Sequence, residues 1–187
     1  DKKGRPVYIE DYSGLKIKEM FAIMSEKEFI NYYISSYERT VNVIYKECSK
    51  ARGKLIERSV TILDFKNFGI SQALSSDNRH FMQLAIKIAQ DFYPEMMAKM
   101  FIINTGFTFK ALWSLAKPFL DKKTKEKISI LGSDYKKEIN TWIDDDQLPM
   151  SLGGTNPKAF YLLMGWEIRE FKMFKELINL ILRSWEN

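Results

Sequence analysis

Two residue types that carry much of enzyme chemistry occur once each in this sequence, as His80 and Cys48. One histidine cannot build a histidine-rich metal site, and the sequence has no C-x-x-C, G-x-G-x-x-G, Walker loop or G-x-S-x-G. A hydrolase or transferase needs a nucleophile with a base, and His80 is the one histidine available for that role. The polar residues around His80 predict a surface position, and Cys48 is interpreted as a small core side chain. We therefore predict neither a catalytic site nor a metal site.

Two runs of charge could bind ions or charged surfaces. Asp144-Asp145-Asp146 suggests a cation site, although consecutive acids in a loop are usually solvated or cap the next element. The lysines that directly follow an apolar segment are Lys122, Lys123, Lys125 and Lys127. This pattern suits an anionic membrane surface, where each cation adds about 1 kcal/mol. Nucleic acid is disfavoured, because a net charge of +5 is modest and these lysines do not alternate with stacking aromatic residues.

The composition describes one soluble domain. Of 187 residues, 45% are hydrophobic and 28% charged, which is sufficient for a sizeable core. The uninterrupted apolar stretches are far shorter than the roughly 18 residues that cross a bilayer, which excludes a transmembrane protein. A lone cysteine and the lack of an apolar leader pattern favour a reducing, cytosolic location. Because the sequence begins at Asp1 rather than at a methionine, we expect an upstream segment.

Alternating strand and helix patterns predict an α/β sandwich rather than an all-α bundle. The predicted strands are Arg5–Glu10, Ile56–Phe65, Met100–Asn104 and Ile128–Leu131. The predicted helices run from a capping box at Ser25 to about Gly53, and over Ala73–Phe92, Phe107–Leu120, Asp134–Ile143 and Pro157–Trp185. The first of these helices carries a stripe that we expect to be buried: Phe29, Tyr33, Tyr37, Val41 and Ile44.

The strand predicted over Ile56–Phe65 has two chemically different faces. Alternation places Val60 and Ile62 on one face and Ser59, Thr61 and Leu63 on the other. The two neighbouring hydroxyls could satisfy buried polar groups or could contact a ligand, and the sequence leaves both interpretations open.

The segment Phe107–Leu120 is apolar around nearly its whole circumference. Its large apolar side chains are Phe107, Phe109, Leu112, Trp113, Leu115 and Phe119. A helix with this pattern is buried in a core or meets a membrane, and periodicity alone does not choose between the two.

The last predicted helix, Pro157–Trp185, also carries a long apolar stripe, with charged residues of both signs on its other side. We expect the stripe to pack on its own domain, with a partner chain in a homodimer as the alternative. Mixed charge on the polar side makes membrane insertion less favourable.

Short motifs along the chain occur in a recognisable order. They are Gly4-Arg5-Pro6-Val7-Tyr8, Phe92-Tyr93-Pro94-Glu95, Phe101-Ile102-Ile103-Asn104, Lys117-Pro118-Phe119-Leu120-Asp121, Lys127-Ile128, Ile130-Leu131-Gly132, Leu148-Pro149 and Gly153-Gly154. As an ordered set they resemble the CRAL-TRIO lipid-binding domain, and most of all the yeast-type phosphatidylinositol/phosphatidylcholine transfer proteins. The resemblance covers residues 1–155 and leaves 156–187 as a helical extension. The helical lobe that precedes this domain in the family has no counterpart in the sequence.

The resemblance implies a mostly parallel sheet that floors an apolar cavity, with a mobile gate helix over one phospholipid. It matches Glu95, Thr124 and Lys127 to residues around the phosphatidylinositol head group. It matches Tyr8, Tyr37, Ser59 and Thr61 to residues around phosphocholine, and the Phe107–Leu120 segment to the gate. The chain's 13 phenylalanines and nine methionines suit the lining of such a cavity, although many of them belong to any core.

The function implied by the resemblance is non-enzymatic: exchange of a phospholipid between membranes, with transient contact at a membrane surface and no cofactor other than the bound lipid. Burial of the acyl chains contributes roughly 0.8 kcal/mol per methylene, so extraction from a bilayer requires a closed cavity. A sensor or anchor for another hydrophobic ligand is the alternative with the same fold, and an α/β hydrolase-type enzyme is the less favoured one.

Overall fold

A computed structural model describes residues 1–13, 16–69, 75–107 and 109–157. The predicted helix Pro157–Trp185, with the proposed homodimer contact, lies outside these residues apart from its first residue. The secondary structure of the described residues alternates between strands and helices, as the sequence pattern indicates.

Four parallel strands form one sheet in the order β1-β2-β3-β4, with β1 at Val7–Asp11, β2 at Ser59–Asp64, β3 at Met97–Ile103 and β4 at Ile128–Ile130. The helices are α1 (Ile17–Ile23), α2 (Glu26–Arg39), α3 (Tyr45–Arg52), α4 (Ser76–Phe92), α5 (Phe109–Ala116), α6 (Lys122–Glu126) and α7 (Lys136–Ile139). A π-helical turn, Thr40–Ile44, joins α2 to α3, and 3-10 turns occupy Lys117–Phe119, Asp145–Gln147 and Met150–Leu152.

Alternation along β2 separates two environments, as the sequence predicts. Val60 and Ile62 are fully buried on one face, where they pack with Phe101 and Ile103 of β3. The segment after β4 covers this face through its buried apolar side chains, Ile139, Ile143, Leu148 and Leu152. The main core therefore lies on one side of the sheet, and the other side is covered by α2, α4 and α5.

The helix that follows Ser25 begins at the predicted capping box. The Ser25 hydroxyl accepts a hydrogen bond from the Glu28 amide, and the Glu28 carboxylate accepts one from the Ser25 amide. Phe29 is buried and Ile44 is half-buried, but Val41 is 38% exposed, so Val41 falls outside the predicted buried stripe. Val41 lies in the π-helical turn, whose different periodicity moves it off the α-helical stripe.

Several element boundaries differ from the predicted ones. The strand predicted from Ile56 begins at Ser59, because the Ile56 amide donates to the Ser49 hydroxyl of α3 rather than to a strand. The strand predicted from Met100 begins at Met97, before the apolar run that suggested it. The helix predicted over Asp134–Ile143 is α-helical only over Lys136–Ile139.

The helix predicted over Phe107–Leu120 is α-helical over Phe109–Ala116 only. Phe107 precedes the helix and is 92% exposed. Beyond Ala116 the chain tightens into the 3-10 turn Lys117–Phe119, because Pro118 has no amide hydrogen to continue the α-helical bonds. Phe119 lies in that turn and is 46% exposed. The apolar segment is therefore one short helix with an exposed phenylalanine beyond each end.

Candidate functional site

A cavity of about 600 Å³ lies on the face of the sheet opposite the main core. Its floor is formed by side chains of β1, β2 and β3, and its walls by α2, α4 and α5. The volume falls within the range of small-molecule and cofactor sites, roughly 300–1,000 Å³. The cavity thus lies between the sheet and the helices that cover the face opposite the main core.

Most of the cavity wall is apolar. Met100 and Ile102 come from the sheet, Phe81 from α4, and Leu112 and Trp113 from α5. Leu112 and Ile102 belong to one buried cluster, which also contains Phe109 of the same helix. These groups offer a surface for hydrocarbon rather than for a polar substrate.

One end of the cavity carries a charged cluster. The Lys127 ammonium and the Arg58 guanidinium both donate to the same oxygen, Oε2 of Glu95, each at 3.1 Å. Lys127, Glu95, Thr124 and Asp121 line the cavity at this end. Lys127 is more shielded than its partners, since 23% of its side chain is exposed against 60% for Glu95 and 51% for Arg58. We call this end the mouth.

The electrostatics of the mouth favour ionised carboxylates. The hydrogen bond and the charge of Lys127 lower the pKa of Glu95. The Thr124 hydroxyl donates to Asp121, which lowers the pKa of Asp121. Lys127 and Arg58 share one carboxylate oxygen, so both remain able to donate further hydrogen bonds to an anionic group.

Thr124 is held in place by the start of α6. The Asp121 carboxylate caps this helix by accepting a hydrogen bond from the Thr124 amide at 2.9 Å. The Thr124 hydroxyl lies 2.5 Å from the other carboxylate oxygen. The structure therefore brings Glu95, Thr124 and Lys127 to one place, although Glu95 lies 32 positions from Lys127.

The two hydroxyls of β2 both line the cavity. The Ser59 hydroxyl donates a long hydrogen bond, 3.4 Å, to the Met96 carbonyl. In the part of the chain that the structure describes, the Thr61 hydroxyl has no hydrogen-bond partner. A ligand in the cavity can therefore accept hydrogen bonds from this strand.

A buried carboxylate, Glu10, lies beside these hydroxyls on the floor of the cavity. Its side chain lines the cavity, and the residue is 5% exposed. The Tyr8 hydroxyl donates to Oε1 of Glu10 at 2.6 Å, and the Tyr12 hydroxyl donates to Oε2 at 2.7 Å. Burial raises the pKa of Glu10, and the two phenol hydrogen bonds oppose that rise. Tyr8, matched to phosphocholine by the resemblance, thus has its hydroxyl directed at a neighbouring acid.

Tyrosines of α2 form the wall facing Glu10. Tyr37 stacks on Tyr93, with ring centres 4.4 Å apart, and lies 6.5 Å from the ring of Tyr33. Burial, followed by the charge of Glu10, raises the pKa of Tyr37 to about 12. Tyr8 and Tyr37, predicted together, therefore line one cavity, Tyr8 from the floor and Tyr37 from a wall.

The six residues assigned to the gate helix have different positions. Phe109 and Leu112 are buried, and Trp113 lines the cavity with them. Leu115 is half-buried. Phe107 and Phe119 are exposed outside the helix, and the Lys110 ammonium lies 5.5 Å from the centre of the Phe107 ring. Gate function stays a prediction for this segment.

His80, Cys48 and the run of aspartates at 144–146 do not line the cavity. His80 is on the surface, where its ring pairs with Glu26 at 2.8 Å. Cys48 is half-buried, and burial raises the pKa of its thiol. The run of aspartates makes structural ion pairs: Asp145 with Lys136, and Asp144 with Lys2 at 3.3 Å. In the described residues no group of three or more His, Cys, Asp or Glu could hold a metal ion. None of the described helices is long and apolar enough to cross a membrane.

The ordered motifs and this cavity lie in one recognisable domain: residues 1–154 match the CRAL/TRIO domain. The chain belongs to the CRAL/TRIO family. The family resemblance is therefore confirmed, and so is the predicted α/β class with its parallel sheet.

Curated relatives of this CRAL/TRIO chain come from fungi and a plant. It is 38% identical over 171 residues to a CRAL-TRIO domain-containing protein of Saccharomyces cerevisiae, covering 88% of this chain and 54% of that protein. It is 39% identical over 155 residues to a phosphatidylinositol/phosphatidylcholine transfer protein of Arabidopsis thaliana, covering 83% and 28%. It is 40% identical over 154 residues to the SEC14 cytosolic factor of Candida glabrata, covering 82% and 50%.

Among solved structures, this CRAL/TRIO chain resembles the crystal structure of Sfh5, with a TM-score of 0.67 and 22% identity over 83% of this chain and 51% of that one. At this identity the likeness concerns the fold. The chain spans about half the length of the two fungal relatives and less than a third of the plant protein.

Sequence reasoning missed two members of this CRAL/TRIO site. Glu10 lies on the same face of β1 as Tyr8. Acidic side chains are rarely buried, so a carboxylate on an inward-facing strand position could have identified Glu10 as a site residue. Arg58 precedes β2 and gave no sequence signal, because its link to Glu95 crosses 37 positions.

Proposed function

We propose that this CRAL/TRIO domain binds one phospholipid, phosphatidylinositol or phosphatidylcholine, in its cavity and exchanges it between membranes. The observation that carries the proposal is a cavity that combines an apolar wall with hydrogen-bonding groups on its floor and at its mouth. Such a cavity suits an amphiphile, with hydrocarbon against Met100 and Leu112 and polar atoms near Thr61 or Lys127. Relatives named for this transfer add support.

The phosphatidylinositol head group lies at the mouth in this proposal. Lys127 donates to its phosphate, Glu95 accepts from inositol hydroxyls, and Thr124 is a further donor. Support comes from the geometry, since Lys127 Nζ and Glu95 Oε2 are 3.1 Å apart and both line the cavity. A charge-assisted hydrogen bond to phosphate is stronger than a neutral one.

The phosphocholine head group lies on the floor instead. Ser59 and Thr61 donate to its phosphate, and Tyr8 and Tyr37 surround its choline. Tyr8 is the register partner of Thr61 across β1 and β2, which supports a shared contact to one small group.

Exchange occurs at a cytosolic membrane face and breaks no covalent bond in this proposal. The domain that performs it comprises residues 1–155. Phe107 and Phe119 are exposed beyond either end of α5, and Lys117, Lys122 and Lys123 lie near Phe119 in sequence and are exposed. Exposed aromatic rings beside cations suit an anionic bilayer surface.

A transfer assay with a blocked cavity tests the proposal. Ala85 of α4 lines the cavity, and Ala85→Trp places an indole where acyl chains would lie. Gln83→Trp on the exposed side of the same helix is the matched control. Vesicle-to-vesicle transfer of labelled phosphatidylinositol and phosphatidylcholine is expected in the wild type and the control and lost in Ala85→Trp. Equal transfer by a folded Ala85→Trp protein contradicts a cavity mechanism.

A further inference from the structure

Glu10 is a buried acid inside the cavity, without a cationic partner in the described ranges of the chain. Its two carboxylate oxygens accept hydrogen bonds from Tyr8 and Tyr12, so the group is fixed in orientation. Burial of an ionised carboxylate is costly unless a charge balances it. The cavity is the direction from which such a charge can arrive, because the Glu10 side chain lines it.

Aromatic rings surround the carboxylate. The Tyr8 and Tyr12 hydroxyls donate hydrogen bonds to the Glu10 carboxylate. The other tyrosines line the same cavity from α2 and are Tyr32, Tyr33 and Tyr37. The charge of Glu10 contributes to raising the pKa of all three α2 phenols, which places their rings within reach of its field. Aromatic faces next to a carboxylate are the chemistry that recognises an ammonium group, and a quaternary one in particular.

Donors for a phosphate lie at a suitable distance from this acid. Thr61 is the register partner of Tyr8, one strand spacing away, which is about 4.8 Å. Glu10 is two residues beyond Tyr8 on the same face, about 6.6 Å along the strand. One small zwitterion can therefore place its phosphate at Thr61 and its cation at Glu10.

We propose that Glu10 is the counter-charge for the ammonium group of a zwitterionic phospholipid head group, with Tyr8 and Tyr12 holding the carboxylate toward it. This inference rests on the proposed function and adds the residue that distinguishes a cationic head group from a neutral one. A head group that carries a phosphodiester without an ammonium gains nothing from Glu10.

Glu10→Gln keeps the size of the side chain and removes its charge. Loading of wild type and variant from vesicles of phosphatidylcholine mixed equally with phosphatidylglycerol, which has the phosphodiester but no ammonium, is measured by mass spectrometry. Loss of a buried charge partner predicts that the ratio of bound phosphatidylcholine to phosphatidylglycerol falls at least about tenfold. Tyr12→Phe, which removes one hydrogen bond and keeps the charge, is expected to lower the ratio by less.

An unchanged ratio in Glu10→Gln, or an equal loss of both lipids, overturns the inference and leaves the proposed function intact. A wild-type chain that loads neither of these lipids nor phosphatidylinositol overturns the proposed function and the inference with it.

The wild type alone provides a second measurement if Glu10→Gln does not fold. The groups that face Glu10 are the phenols of Tyr8, Tyr12, Tyr32, Tyr33 and Tyr37, whose raised pKa values keep them neutral through neutral pH. An ammonium favours the ionised carboxylate, so the ratio of phosphatidylcholine to phosphatidylglycerol should rise with pH through the titration of Glu10. A ratio independent of pH overturns the inference.

Discussion

Lys127 Nζ lies 3.1 Å from Oε2 of Glu95, an oxygen that also accepts a hydrogen bond from Arg58. The backbone of Glu95 has a φ of 62°, in the left-handed region that is uncommon for residues other than glycine. This conformation forms part of the turn between α4 and β3, and the Glu95 carboxylate on this turn contacts Lys127. The pair therefore depends on a tight turn as well as on charge.

Lys127→Ala is predicted to weaken loading of phosphatidylinositol about tenfold or more, since a charge-assisted contact to phosphate is lost. Loading of phosphatidylcholine, whose head group we place on the floor, should change much less. Competition between the two lipids in a vesicle transfer assay measures both. Lys137→Ala, an exposed lysine of α7 in the segment that covers the other face of the sheet, is the control. The assignment is wrong if both lipids lose equally.

Ser59→Ala combined with Thr61→Ala should reduce transfer of phosphatidylcholine selectively. The fold should be retained, because the hydrogen bond from the Ser59 hydroxyl to the Met96 carbonyl is long, at 3.4 Å. Ser129→Ala is the control, since Ser129 pairs in register with Phe101, whose side chain belongs to the core on the opposite face of the sheet. A large drop in melting temperature with loss of all transfer would instead assign the two hydroxyls to structure.

Phe107→Ser and Phe119→Ser are expected to slow exchange with anionic vesicles and leave the lipid bound after expression unchanged. Both rings are exposed, at 92% and 46%, so their replacement should cost little stability. Met150→Ser is the control, because Met150 is 67% exposed and lies in the segment that covers the other face of the sheet. Exchange at the wild-type rate by both phenylalanine variants would exclude these rings from membrane contact.

Gly154→Ala should destabilise the domain by about 1–3 kcal/mol, the usual cost of overpacking. A β-carbon on Gly154 would overlap the carbonyl of Leu148, whose oxygen accepts a hydrogen bond from Asn156. Gly106→Ala serves for comparison, since a β-carbon there meets no atom of the described residues within 4 Å. Chemical denaturation compares the two, and equal stability would refute the close approach.

Glu10 predicts a pH dependence of stability in the lipid-free protein. Burial raises its folded pKa above the unfolded value of roughly 4.3. As pH rises from the unfolded to the folded pKa, the unfolded chain releases the proton first, so the free energy of unfolding falls. Glu10→Gln lacks this titration and should lose less stability over the same window. If the free energy of unfolding of the wild type and that of Glu10→Gln change by the same amount across the window, the pKa of Glu10 is not raised by burial.

Local patterns were sufficient for the sheet and insufficient for the polar groups of the site. The alternation of Val60 and Ile62 with Thr61 predicted correctly which face of β2 is core, because burial acts on each residue separately. The shared oxygen of Glu95 could not be predicted, because Arg58 lies 37 positions away and meets it only after the sheet assembles.

The extent of α5 shows a different limit. The apolar run from Phe107, closed by Lys117-Pro118, predicted a helix that extends to Leu120. The hydrogen bond from the Phe109 amide to the Gly106 carbonyl and the proline at 118 decide where the chain turns. Those are backbone constraints, which a hydrophobic pattern does not contain.

Native mass spectrometry of the purified chain tests the central claim, that the cavity holds a phospholipid, most directly. After incubation with vesicles that contain phosphatidylinositol and phosphatidylcholine, the account predicts a mass increase equal to one phospholipid per chain, absent in Ala85→Trp and retained in Gln83→Trp. A wild-type chain that carries no phospholipid, or carries equal amounts with and without a blocked cavity, would contradict it.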